Sequence, residues 1–189
     1  FSRNSNFSLS GAAIVASIFL MVANLNWINP AITNIAPVLD SYWLMIHVSI
    51  ITSSYGFLAL SAFLGIFTLL LMVFIKKSNK IHIKQEIQRI VSINERCMMI
   101  GLFLLTIGTF LGGVWANESW GRYWGWDPKE TWALISVVVY SIILHIRFIS
   151  FNRFTYLFSL LSVFAFYSII MTYFGVNFYL SGLHSYAQG

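Results

Sequence analysis

Five apolar runs divide the chain, at about 8–26, 41–75, 97–116, 131–149 and 154–177. Each is continuous rather than alternating, so each predicts a helix and not a strand of a membrane barrel. A helix needs roughly 20 residues to cross a hydrocarbon core ~30 Å thick. The second run, Ser41 to Ile75, has no charge, and as one helix it would be about 52 Å long, so it must protrude on one side. The pattern predicts an all-α fold, a polytopic transmembrane bundle of about five membrane-spanning helices within a single membrane domain, 1–189.

Composition agrees with that pattern. Hydrophobic residues make up 58% of the 189, aromatics 17% and charged residues 9%; mean hydropathy is +0.77. A soluble domain carries about 25% charged residues, and one core cannot bury this much apolar surface. Disorder is excluded by the low charge. The net charge of +5 is concentrated at 76–96, where Lys76, Lys77, Lys80, Lys84, Arg89 and Arg96 outnumber Glu86 and Glu95. No aromatic residue is interleaved there, which argues against nucleic acid. A basic cytoplasmic loop at 76–96 is the expectation. Counting crossings from it places Arg3 and Arg147–Arg153 inside, and 27–40, 117–130 and 178–189 outside. Trp27 and Trp43 then flank the outer end of the first hairpin, with Pro30 and Pro37 between them. The chain opens on Phe1 without a cleavable signal sequence, and the expectation is a piece of a longer protein.

The stretch 115–132 stands out. Five of the seven tryptophans lie here: Trp115, Trp120, Trp124, Trp126 and Trp132. An interfacial belt accounts for one or two at a helix end. Five, mixed with two glycines, Arg122, Tyr123 and Asp127, suit a large planar ligand lying on an external loop. Asp127 is placed to cap the fourth helix, with Pro128 in its first turn and Glu130 at the positive end of its dipole. Arg122 can pair with a carboxylate of the ligand or with a lipid phosphate.

The histidines add a second signal. His47 lies 29 residues before Lys76, about 43 Å of helix, so it stands roughly 13 Å beyond the outer edge of a ~30 Å core. His184 lies beyond the fifth run on the same side. Two neutral imidazoles can hold both axial positions of a haem iron; for either histidine alone a surface role is as good an account. His145 sits at the inner end of the fourth run, where an ionisable group is either functional or snorkelling to the interface. No second histidine of this chain shares its depth. His82 is a loop histidine. Gly108 and Gly112 form a GxxxG, which reads as close helix packing. Cys97 is the single cysteine, so neither an intrachain disulfide nor a CxxC pair is possible. The sequence has no phosphate-binding glycine loop, hydrolytic triad, carboxylate pair or CxxCH.

The run WGRYWGWDPKETW at 120–132 resembles the tryptophan-rich WWD signature of haem-handling proteins in cytochrome c maturation. SYWLMIHV at 41–48, LHIR at 144–147 and TYFGVNFYLSGLHSYA at 172–187 narrow the likeness. Together they resemble the CcsA (ResC) family of the system II cytochrome c synthase, and equally the C-terminal half of the fused CcsBA form, more than CcmC or CcmF. The resemblance covers about Ser41 to Ala187.

What the resemblance implies is specific. His47 and His184 match the external ligands of haem b beside the WWD loop, and His145 matches a transmembrane haem ligand whose partner histidine belongs to the CcsB (ResB) portion. Further N-terminal helices are implied outside this chain. The implied activity is haem export and holocytochrome c synthesis (haem lyase), joining haem to the CxxCH segment of apocytochrome c on the outer side of the membrane. A CcmC-like haem-delivery module without synthase chemistry uses the same residues. A non-haem transporter with a tryptophan belt is a third class. The family fits the bacterial inner membrane, with the site facing the periplasm, and also the thylakoid.

Overall fold

The computed structural model describes residues 6–23, 41–74, 80–148 and 154–184. They form helices α1 (Asn6–Ala23), α2 (Tyr42–Val73), α3 (Lys80–Trp120), α4 (Pro128–His145) and α5 (Phe154–Ile170). A π-helical turn, Met171–Gly175, continues α5 into a last short helix, α6 (Val176–Tyr179). No strand occurs among the described residues, so the all-α class holds. The expectations placed on Arg3, Trp27, Pro30, Pro37, Lys76, Lys77 and Arg153 fall outside the described residues.

Among the described residues, three helical stretches are long and apolar enough to cross a membrane: Tyr42–Val73, Ile81–Trp120 and Phe154–Tyr179. The first and fourth runs differ. The apolar part of α1 is the shorter Leu9–Ile18, and α4 opens on the charged Lys129 and Glu130.

Two expected loops turn out to be partly helix. From Lys80 onward the basic connection belongs to α3, which runs unbroken for 41 residues, about 62 Å. The cause is a buried stripe: Ile87, Ile90, Val91, Asn94 and Met98 recur at helical spacing and all are buried. The charges occupy the remaining surface. At the other end, Trp115 and Trp120 lie in α3 and Pro128–Trp132 in α4, leaving Gly121–Asp127 as the non-helical part of 115–132. Gly121, at φ 72°, ends α3, and its N–H donates to the Asn117 carbonyl over 2.8 Å, a left-handed helix stop.

The bundle is organised on α2, which packs antiparallel to α3 along a glycine seam. A Cβ built at Gly101, Gly108 or Gly112 would stand 2.6 Å from Leu58, Ile51 or His47 respectively. Steps of seven and four along α3 thus match equal steps backward along α2. The seam explains the GxxxG and brings the backbones close. The core is apolar, with Leu58, Met98, Leu105, Tyr140 and Phe158 fully buried. A polar cluster crosses it. Ser61 donates to Asn94 Oδ1 over 2.6 Å, and Asn94 Nδ2 donates to Ser162 Oγ over 3.3 Å. All three are buried, and they tie α2, α3 and α5 together; such interhelical bonds average about 0.6 kcal/mol each.

Candidate functional site

A cavity of about 320 Å³ opens at one end of the bundle, within the size range of small-molecule pockets. Its wall is built from five parts of the chain. Helix α2 supplies His47, Ile51 and Tyr55; α3 supplies Thr109, Gly112 and Trp115; the loop supplies Tyr123 and Trp124. Helix α4 adds Lys129, Glu130 and Ala133, and the C-terminal segment adds Thr172, Tyr173 and His184.

The two histidines are held alike. His47 Nδ1 lies 2.7 Å from the carbonyl of Gly108, and His184 Nδ1 lies 2.9 Å from Asp127 Oδ1. A carbonyl and a carboxylate only accept, so in each ring Nδ1 carries the hydrogen and Nε2 keeps a lone pair. Trp115, almost fully buried, is the common backing. Its ring is stacked with His47 at 6.5 Å and tilted against His184 at 5.6 Å. Trp120 closes behind, 4.9 Å from the His184 ring and 4.8 Å from Trp115.

Asp127 is the hinge of the arrangement. Its Oδ1 accepts from the Lys129 N–H as cap of α4, and Glu130 completes the capping box by accepting from the Asp127 N–H. Its Oδ2 accepts from the Leu183 N–H over 2.7 Å. One buried carboxylate therefore starts α4 and fastens the turn that carries His184. Gly182 permits this approach, since a Cβ there would collide with Asp127 and stand 3.0 Å from Pro128 Cδ. Burial lowers the pKa of His184 from 6.5, against the hydrogen bond and charge of Asp127 and the charge of Glu130, and with a smaller push from Lys129. Burial wins, so the contact with Asp127 is a neutral imidazole donating to a carboxylate, not an ion pair.

Of the residues singled out in the sequence, His47, His184, Trp115, Tyr123 and Trp124 line the cavity, as do Gly112 and Glu130, read there as packing and helix-start residues. Trp120 and Asp127 support it from behind. Arg122, Trp126, Trp132 and His145 do not line it. Arg122 is exposed and curls over Gly125, where a Cβ would come within 2.9 Å of Nε. Trp126, 70% exposed, sits at φ 57° with its ring edge-on to Trp124 at 5.9 Å. Trp132 is half-buried on α4.

His145 lies at the opposite end of α4, 17 residues from Pro128 and so about 26 Å away. It is exposed, with Nδ1 2.7 Å from the Ser141 carbonyl and its ring 6.0 Å from Phe148.

Two contributors have roles that the sequence did not indicate. Gly112 is the seat of the His47 ring. Lys129 is the cation that faces the cavity; its Nζ donates to Asn177 Oδ1 over 2.9 Å. Burial pushes its pKa down from 10.5, opposed by the charge of Asp127. Its place in the first turn of α4, two residues after a helix cap, was the available signal.

A helical membrane bundle with an aromatic cavity at one end, faced by two imidazoles of fixed tautomer, is the class these features define. The chain belongs to the cytochrome C assembly protein family, whose profile matches residues 1–184. It is 57% identical over 189 residues to protein NrfI of Wolinella succinogenes, covering all of this chain and 21% of that one. It is 33% identical to a cytochrome c biogenesis protein CcsA of Prochlorococcus marinus and 35% identical to that of Guillardia theta. Those alignments cover 97% and 96% of this chain, and 67% of each relative. The chain thus spans about a fifth of the NrfI protein and about two thirds of the two CcsA proteins.

Proposed function

We propose that this chain forms the external haem site of a cytochrome c synthase. The observation that carries the reading is the pair of imidazoles lining one cavity, each with Nδ1–H fixed to an oxygen acceptor and Nε2 left to ligate. Acceptors on the second ring nitrogen orient a ligating histidine and raise its basicity. His47 and His184 are the axial ligands of haem b, and the tryptophans with Tyr123 supply the flat apolar surface.

Haem is the substrate. A cysteine thiol of the CxxCH segment adds across a haem vinyl group: a C–S bond forms, the thiol hydrogen passes to the neighbouring carbon, and nothing leaves. Such an addition asks the protein for proximity and orientation rather than a nucleophile. The histidine of CxxCH then replaces one external ligand and frees the product. His145, exposed at the far end of α4, is a haem ligand on the inward side whose second ligand comes from the CcsB portion, fused or separate. The site faces the periplasm from a bacterial inner membrane; a thylakoid setting gives the same geometry.

Co-expression of the full protein and its CcsB portion with a CxxCH apocytochrome, without other maturation factors, tests this. Covalent c-type haem that disappears in His47→Ala and His184→Ala supports the synthase. Haem bound to both histidines without covalent product supports the delivery module. No Soret band in the purified wild type overturns both.

The pH response follows from the burial of His184. An imidazole with a lowered pKa stays neutral as pH falls through 6.5 and charges only below that. Because the folded-state pKa is the lower one, the stability contributed by neutral His184 is complete above 6.5. It is lost as pH falls through 6.5 and past the lowered value. Low-spin haem in a spectral pH titration should therefore survive to below pH 6.5; loss centred above 6.5 contradicts this.

A further inference from the structure

Lys129 is a cation facing a largely apolar cavity, and the hydrogen bond of its ammonium goes to a neutral amide oxygen, Asn177 Oδ1, at 2.9 Å. The nearby carboxylates are engaged elsewhere. Asp127 accepts from Lys129 N, Leu183 N and His184 Nδ1. Glu130 accepts from the N–H groups of Gly125 and Asp127. A half-buried ammonium with three donors and a neutral acceptor favours an anionic guest. Arg122, which the sequence offered for that task, is turned away over Gly125.

Resting on the haem reading above, we propose that Lys129, steadied by Asn177, is a carboxylate subsite that anchors a propionate on the rim of the macrocycle. Holding one edge of the ring by charge fixes its rotation between the two histidines. That decides which edge, and so which vinyl groups, face the opening.

The test is spectral titration of the detergent-purified full protein with haem and with haem dimethyl ester, whose propionates carry no charge. Wild type should bind the diacid about 10- to 100-fold more tightly, the worth of a charge-assisted hydrogen bond. Lys129→Met should bring the diacid down to the ester's affinity and leave the ester unchanged, with the low-spin spectrum kept. Lys129→Arg should retain the preference. Equal affinities in wild type overturn the subsite without any variant. So does a Lys129→Met protein that weakens both ligands alike or keeps the preference. If wild type binds neither ligand, or His47→Ala and His184→Ala bind haem as wild type does, the haem reading itself fails and the subsite with it.

Discussion

Asp127→Ala is expected to remove low-spin haem as completely as His184→Ala does, although Asp127 does not line the cavity. The alanine deletes the two oxygens of one buried carboxylate, which together accept three hydrogen bonds. Loss of the α4 cap costs about 1 kcal/mol, and each donor left without its acceptor about 1–3 kcal/mol. A stability loss of about 3–7 kcal/mol, the cap plus the two donors Leu183 N–H and His184 Nδ1–H, should accompany release of the His184 turn. Asp127→Asn should fall between, because its amide oxygen still caps α4 while its NH2 opposes the Leu183 N–H. Added imidazole should restore the spectrum of Asp127→Ala, as it would for a missing axial ligand. Absorption spectra and melting curves of the two variants read this out. An unchanged spectrum in Asp127→Ala would show that His184 needs no fixing.

Gly112→Ala is expected to behave in the opposite way, keeping the fold and losing the site. Alanine is favoured over glycine in a helix by about 1 kcal/mol, which offsets part of the local crowding. The new methyl would stand 2.6 Å from His47 Cε1 and 2.9 Å from Nδ1. The ring is held by the Gly108 carbonyl on one edge and stacked with Trp115, so it must leave its place to make room. Stability within about 1 kcal/mol of wild type, together with haem occupancy reduced at least tenfold in a spectral titration, is the expected pair. Full occupancy would mean that the ring has slack the packing does not show.

Much of the fold is legible in the residues. Continuous apolar runs mark the helices because membrane-length helices need them. Asp127-Pro128 marks the start of α4 because cap and first-turn chemistry is local. The helical nature of 80–96 was legible too, in Ile87, Ile90, Val91 and Asn94 at helical spacing, but it was obscured by a charge rule that speaks of sides and not of conformation. The site was legible as far as residue type reaches: a tryptophan cluster and two histidines on one side. Which groups hold those histidines was not. The Gly108 carbonyl is a backbone atom that no side-chain pattern announces, and the Asp127–His184 contact depends on how α4 and the last turn meet. That Lys129 and not Arg122 lines the cavity has the same cause. A short loop with Gly125 in it lets the arginine fold outward, whereas the first turn of α4 aims the lysine inward.

The long separation of those contacts has a consequence for how the protein is made. The acceptor of His47 lies 61 positions along the chain, and the acceptor of His184 lies 57 positions before it. Non-local closures of this kind come late in folding. During synthesis the first imidazole is placed once α3 has docked on α2. The second has no fixed position until the residues past 180 have left the ribosome and met the start of α4. On the proposed haem reading, a chain that ends before those residues offers the iron one of the two external ligands at most, so a bis-histidine spectrum would serve as a readout of completed assembly.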